Sequence, residues 1–115
     1  MNPAPDIWRY FGTREVRLAR EWAAEGGVAV HENVWKSRGR RTAHLLASSE
    51  RILIVAATSL GCENWWIQRT RTIHFDLIGP YLARALEWCG VDPVAPPARF
   101  VWAVPAPRGE GTEDP

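Results

Sequence analysis

Two stretches of the chain place apolar residues at helical spacing, and each predicts a helix. The first covers 13–25, with Thr13 as its N-cap and Gly26-Gly27 at its end. The other covers 80–89, where Gly79-Pro80 puts a proline at the first helical position. Each stretch carries one apolar stripe, so each is expected to pack one face against a core.

A third helix is predicted over 49–60, although its sequence is ambiguous. The apolar run 52–57 would also suit a buried strand. A serine N-cap at Ser48 or Ser49, a length beyond that of a typical strand and Gly61 at the end favour the helix.

Stretches of alternating or β-branched residues predict a short sheet. We expect a leading strand over 28–34, two short strands over 65–68 and 73–77 that could pair as a hairpin, and an edge strand over 100–104. A basic loop at 36–41 follows the first strand. Helices that alternate with strands indicate an α/β fold: one small domain with a short central sheet flanked by three helices.

The chain divides into three expected regions. Residues 1–27 form an N-terminal extension with one helix, 28–104 the α/β domain, and 105–115 a flexible acidic tail. The side chains predicted to fill the core are Val30, Leu46, Ile52, Leu53, Ala56, Leu60, Ile67, Phe75, Leu82, Leu86 and Cys89.

Composition excludes several classes of protein. A chain of 115 residues with 46% hydrophobic residues can fill one core and is not intrinsically disordered. No apolar run approaches the roughly 20 residues that span a bilayer, and no signal peptide opens the chain, so we expect a soluble cytoplasmic protein with no membrane partner. The net charge of +1 gives no overall indication of nucleic acid.

The two cysteines, Cys62 and Cys89, are too few for a secreted disulfide framework, and neither lies in a CxxC pair. A zinc site made from both thiols with His44 or His74 fits no standard ligand spacing. The sequence therefore predicts two buried free thiols and no metal site, and it leaves any cofactor unknown.

Three side chains able to do chemistry lie among apolar residues. His74 and Asp76 share one face of their predicted strand, where the carboxylate could orient the imidazole as a catalytic acid–base pair. Any strand with polar residues at i and i+2 on its solvent face would show the same sequence pattern, without a catalytic role. His44 is placed at the mouth of a helix, either as a hydrogen-bonded structural residue or as a phosphate donor or general base.

Arginines and a glutamine near these residues are candidate ligand contacts. The loop of Arg38, Arg40 and Arg41 around Gly39 is either a solvated turn or a phosphate cradle. Arg84 could pack against aromatic rings or make a second anion contact, and Gln68 could contact a base edge or a backbone group. The residues predicted to bind the ligand are Arg38, Arg40, Arg41, His44, Gln68 and Arg84.

Spare aromatic residues suggest two further roles. Trp65 and Trp66 point to opposite sides of a strand, so one is expected in the core, while the other could stack on a base or bury a second layer. Five other aromatic residues are candidate anchors for a protein partner. They are Trp8, Tyr10, Trp22, Trp35 and Trp102.

Five short segments in a fixed order resemble a small bacterial and phage family known as a domain of unknown function (DUF4031-like). They are Gly39-Arg40, the A-H-L-L-A-S run from Ala43, the W-I-Q run from Trp66, the H-F-D-L run from His74 and the R-A-L run from Arg84, within residues 28–94. The family pattern closes its first strand with two aspartates, where this chain has His31-Glu32. The resemblance implies the domain but no reaction, and the lost carboxylate argues against a magnesium-type site.

These features support three functional hypotheses. The preferred one is a module that binds a nucleotide or a phosphate-bearing nucleic acid through the Arg/His cluster. The ligand is then expected at the helix start near Ser48, with Arg40, Arg41 and His44 as main contacts and His74 and Asp76 on the same side of the sheet as the arginine loop. The others are a metal-dependent hydrolase or nuclease that uses His74 and Asp76, with His44 and Glu32 as metal ligands, and a phage-type accessory protein that binds a host protein through exposed aromatics. Whether the chain is an enzyme stays open.

Overall fold

The computed structural model describes residues 5–103, and within them one mixed sheet carries three helices. The strands are β1 (Trp8–Phe11), β2 (Val28–Glu32), β3 (Thr42–Leu46), β4 (Gln68–Arg69) and β5 (Ile73–Ile78), and the helices are α1 (Val16–Ala24), α2 (Glu50–Ser59) and α3 (Gly79–Trp88). The strand order is β1-β2-β3-β5-β4. Strands β1 and β2 run parallel, and the other neighbouring pairs run antiparallel. The predicted α/β fold with a short sheet and three helices is confirmed.

The two faces of the sheet are covered unequally. On one face, α2 and α3 pack against β3 and β5 over the main core, which includes Val30, Leu45 and Phe75. On the other face, α1 packs over β1, β2 and β3 around a smaller apolar cluster that includes Phe11 and Leu46. The part of this second face that is formed by β3 and β5 beyond α1 bears polar side chains, and the candidate site lies there.

The ends of the helices show which capping signals in the sequence predicted a helix correctly. Ser49 caps α2 by accepting a hydrogen bond from the Ile52 N–H at 3.2 Å, and Gly61 follows the helix with a φ of 101°. The predicted helix over 49–60 is therefore confirmed. The predicted Thr13 cap of α1 is wrong: Glu15 holds the N-cap position, and its carboxylate accepts hydrogen bonds from more distant backbone groups instead of capping the helix.

Two strands differ from the sequence expectation. Strand β1 was not predicted, and it brings residues of the proposed N-terminal extension into the same sheet as β2. Strand β3 replaces the expected helix start around His44. Its backbone pairs with β2 on one side and β5 on the other, so Leu45 lies between Val30 and Phe75 in the sheet. These long-range backbone pairings make a strand of the segment that was expected to lead into a helix.

The remaining strand predictions are partly correct. Residues 65–68 do not form one strand, because a 3₁₀ turn covers Asn64–Trp66 and only Gln68–Arg69 joins β5. The predicted hairpin nevertheless exists as the antiparallel pair of β4 and β5. No strand covers 100–103, where the chain is held by side-chain contacts, and residues 104–115, which include the expected acidic tail, lie outside the described range.

Residues 92–103, called the C-terminal strap, cross back to the start of the sheet. The Thr13 N–H donates to the Ala98 carbonyl at 2.9 Å, and the Trp102 ring N–H donates to the Tyr10 carbonyl at 2.6 Å. The buried Glu15 carboxylate accepts hydrogen bonds from the backbone N–H groups of residues 101–103 and of Gly12. The strap is therefore fastened by specific polar contacts.

Most of the predicted core is buried. Ile52 is the clear error, with 38% of its surface exposed on the outer side of α2, and Ile67 and Cys89 are half-buried. Within residues 5–103, no helix is both long and apolar enough to cross a membrane.

Candidate metal centre

Three side chains meet on the open half of the second sheet face. In the β3–β5 register His44 lies directly opposite Asp76, and His74 lies two residues before Asp76 on the same side of β5. The Asp76 Oδ1 atom is 3.2 Å from His44 Nε2 and 3.3 Å from His74 Nε2. The predicted grouping of His74 with Asp76 is thus observed, and His44 joins it from the neighbouring strand.

The second ring nitrogen of His74 fixes how this imidazole is presented. Its Nδ1 lies 2.7 Å from the Thr72 carbonyl oxygen, which can only accept, so Nδ1 carries the proton and donates it. The Nε2 atom is left to point at Asp76. The hydrogen bond with Asp76 raises the pKa of His74, and hydrogen bonds from His44 and then His74 hold the pKa of the Asp76 carboxyl well below its usual range.

A third histidine, His31, lies on β2 beside this group. It pairs with His44 across the β2–β3 ladder, and their ring centroids are 6.4 Å apart. Only 7% of His31 is exposed, yet neither ring nitrogen has a hydrogen-bond partner among the described residues. Burial lowers the pKa of His31. A buried imidazole with two free nitrogens is unusual and indicates a site that can accept a ligand.

These histidines line a cleft of about 280 Å³ that also carries cationic side chains. Arg20 reaches it from α1 and donates to the Thr72 hydroxyl at 3.3 Å, while Arg71 reaches it from the β4–β5 turn. Imidazole nitrogens and guanidinium groups therefore line the same cleft. The full lining is Val16, Arg20, His31, His44, Leu46, Thr70, Arg71, Thr72 and His74.

The spacing of the three polar groups suits a metal ion. One ligand atom from each of His44, His74 and Asp76 lies within 4.8 Å of the others. Four tetrahedral bonds of about 2.0–2.1 Å would place ligand atoms roughly 3.3 Å apart, close to the two distances measured here. The alternative hydrolase hypothesis had grouped His44, His74 and Asp76 with Glu32, but the sequence offered little support for this metal site because the donors come from two strands and follow no standard ligand spacing. The one local signal was the H-x-D spacing on β5.

The predicted arginine cluster is brought together only in part, since Arg40 and Arg41 line one cavity of about 330 Å³ that shares no lining residue with the histidine cleft. Arg41 points to the opposite face of the sheet from His44, so the expectation that His74 and Asp76 share a side with the loop is wrong for this residue. Its guanidinium donates to the buried Glu32 carboxylate at 2.8–3.1 Å and to two strap carbonyls, those of Pro93 and Ala95. Glu32 is accordingly engaged on that face and does not reach the histidines.

Arg38 and Arg40 lie at the tip of the basic loop. Arg38 and Gly39, with φ values of 52° and 76°, form the two-residue turn of the β2–β3 hairpin, closed by reciprocal hydrogen bonds between Ser37 and Arg40. The tip of the loop is thus a tight turn. The Arg40 guanidinium instead packs beside Gly79 at the start of α3.

Arg84 donates a hydrogen bond to the Leu60 carbonyl on the face of the sheet that α2 and α3 cover, away from the histidine cleft. Gln68 lies beside His74 in the β4–β5 register. Because Arg40 and Arg41 precede β3 and Ser48 follows it, the expected anion site at Ser48 lies at the other end of that strand from both arginines.

The proposed aromatic anchors are distributed unevenly as well. Trp8 and Tyr10 are each 4% exposed and belong to the core, so they are not free to bind a partner. Trp22 is half-buried, and its ring N–H donates to the Ile7 carbonyl at 2.8 Å. Trp35 and Trp102 remain substantially exposed.

No protein-family model, curated protein or solved structure matches this chain. The resemblance to the DUF4031-like family therefore stays a prediction.

Proposed function

We propose that His44, His74 and Asp76 bind a divalent transition-metal ion of the zinc type, and that the protein hydrolyses phosphoesters with it. The observation that carries the proposal is the convergence of two imidazole nitrogens and one carboxylate oxygen from β3 and β5 at ligand spacing. The hydrogen bond from His74 Nδ1 to the Thr72 carbonyl is the arrangement by which metal-binding histidines are held with the other nitrogen toward the ion.

The donor set favours zinc or iron over magnesium. Imidazole is a preferred ligand of the later transition metals, whereas magnesium prefers several oxygen ligands. His31 lies on the wall of the same cleft but is not one of the three ligands. Three protein ligands with an open fourth position are typical of catalytic zinc, while structural zinc sites are closed by four.

The cationic rim of the cleft supports an anionic substrate. Arg20 and Arg71 can pair with phosphate oxygens and offset the charge that grows on them during attack. A zinc ion held by His44, His74 and Asp76 would lower the pKa of a bound water and would so supply the nucleophile. The oxygen of that water would bond to phosphorus as the bond to the leaving alkoxide breaks, its proton would pass to solvent, and the alkoxide would take a proton from solvent.

The first test is metal binding by the whole chain. We expect one zinc ion per protein by titration calorimetry, and a rise in Tm of about 10 °C or more at a hundredfold excess of zinc over its Kd. Asp76→Asn, which keeps the size of the side chain, should weaken zinc binding by more than tenfold, about 1.4 kcal/mol. Asp6→Asn changes an exposed aspartate outside the cluster and should bind zinc like the parent protein.

The second test is turnover. The metal-loaded protein should hydrolyse bis(p-nitrophenyl) phosphate, and removal of the metal with a chelator or the Asp76→Asn change should abolish this hydrolysis. Zinc binding that Asp76→Asn leaves unchanged would contradict the metal site. Zinc binding without hydrolysis of any phosphoester would leave a phosphate-binding module, which is the hypothesis first favoured by the sequence.

A further inference from the structure

A second pocket, called the aromatic pocket, lies at the edge of the sheet beside Asp76. It has a volume of about 380 Å³ and lies beside the start of β4. Strand β4 pairs with β5 only at Ile73 and His74, so the following residues of β5 have no strand partner on that side within the described residues. The pocket is lined by Trp65, Trp66, Gln68, Asp76, Ile78 and Tyr81.

Three aromatic rings give this pocket its shape. Trp66 meets Trp65 at a centroid distance of 5.9 Å and Tyr81 at 5.4 Å, with interplanar angles of 78° and 75°. Trp66 and Tyr81 pack against the main core and hold the wall in place. Trp65 is 73% exposed, so most of its ring surface is left to solvent. An indole ring exposed to this extent contributes little to the core and offers a flat face for stacking.

Asp76 connects the aromatic pocket to the metal centre. Its Oδ1 atom contacts both His44 and His74, and the same residue lines the aromatic pocket. Gln68 lies in the wall of the pocket, directly across the β4–β5 ladder from His74. An extended ligand could therefore place one group among the aromatic rings and another at the histidines, with Asp76 between them.

We propose that the aromatic pocket binds the nucleobase of a phosphate-bearing ligand whose phosphate lies at the His44–His74–Asp76 centre. This inference rests on the proposed function and narrows its substrate class to nucleotides or single-stranded nucleic acid. Three features select a base: a planar stacking surface on Trp65, the Gln68 amide that can pair with a base edge, and Arg20 and Arg71 at the far side for the phosphate. The volume is that of a small-molecule site.

Binding of four probes to the full chain tests the base pocket. The probes are adenosine 5′-monophosphate, ribose 5-phosphate, adenosine and a short single-stranded oligoadenylate, each measured by calorimetry with zinc present. The nucleotide or the oligoadenylate should bind at least tenfold more tightly than ribose 5-phosphate, which has the phosphate but no base. Preference for the oligoadenylate would identify a strand of nucleic acid as the ligand, and equal binding would identify a free nucleotide.

Variants of one exposed residue locate the contact. Trp65→Ala should weaken binding of the nucleotide by about five- to hundredfold, the range found for a lost base stack, and should leave ribose 5-phosphate unchanged. Trp65→Phe should retain most of the affinity. Phe100→Ala removes another exposed aromatic side chain, outside this pocket, and should have no effect.

Equal affinity for adenosine 5′-monophosphate and ribose 5-phosphate would overturn the inference, and so would an equal loss of both in Trp65→Ala. If either result is found while zinc still binds, the base pocket alone is wrong. The reverse case is also separable, because adenosine carries no phosphate. Adenosine binding that depends on Trp65 in protein that binds no zinc would retain the pocket and refute the metal centre.

Discussion

Replacing Arg41 by Met should destabilise the fold strongly, because Arg41 neutralises a carboxylate that is nearly inaccessible to water. Only 1% of the Glu32 side chain is exposed, against 19% for Arg41. Besides Arg41, Glu32 accepts one hydrogen bond from the Tyr10 hydroxyl at 2.6 Å. Removing one partner of a buried ion pair typically costs about 3–5 kcal/mol, since the other charge is left uncompensated. A small domain has about 5–15 kcal/mol in total, so the variant would be marginal.

Urea unfolding followed by circular dichroism measures this loss. Arg38→Met is the matched control, because Arg38 is an exposed residue in the hairpin turn and should change stability by no more than about 0.5 kcal/mol. Adding Glu32→Gln to Arg41→Met removes the isolated charge and should recover part of the stability. A loss below about 1 kcal/mol in Arg41→Met, or no recovery in the double variant, would refute the view that Arg41 serves the fold.

Two further predictions concern buried titratable groups. Burial raises the pKa of Glu15, but the backbone N–H groups of residues 101–103 and Gly12 outweigh it, so the folded pKa lies below the usual value. The stability from these bonds is present above the unfolded pKa of about 4.3 and is lost as pH falls through the folded pKa. Glu15→Gln should therefore be less stable than the parent near pH 7 by urea unfolding, and a difference that fails to shrink in acid would argue against this account. Burial also raises the pKa of Cys62 to about 11 and that of Cys89 to about 12, so both thiols should react with a disulfide reagent slowly in the native protein and rapidly in urea. Rapid reaction of either thiol in the native protein would contradict the burial.

The sequence was most informative where a structure depends on neighbouring residues. The Ser49 cap and Gly61 identified α2 correctly although its apolar run also suited a strand, and the period of two placed His74 and Asp76 on one side of β5. Both features are decided within one element. Nothing beyond the local chain was needed to infer either of them.

The errors arose where distant parts of the chain decide the outcome. The segment around His44 was expected to lead into a helix, but hydrogen bonding to β2 and β5 makes it a strand, and only that pairing brings His44 to Asp76. Arg41 resembled a ligand contact because its neighbours in sequence are basic. Its actual partner, Glu32, lies on the adjacent strand, and its orientation follows from the alternation of β3. A site built across strands cannot be inferred from the spacing of its residues alone.

The register between β3 and β5 makes the candidate centre an all-or-none feature of the fold. Leu45 and Phe75 are paired in this ladder and completely buried in the main core, and His44 and Asp76 are the next pair along. A slip of one residue would turn Leu45 outward and His44 inward, so the apolar core excludes that slip. The geometry of the centre is thus maintained by residues that never touch it, and substitutions that loosen the packing of Leu45 or Phe75 would impair the centre without altering any of its donors.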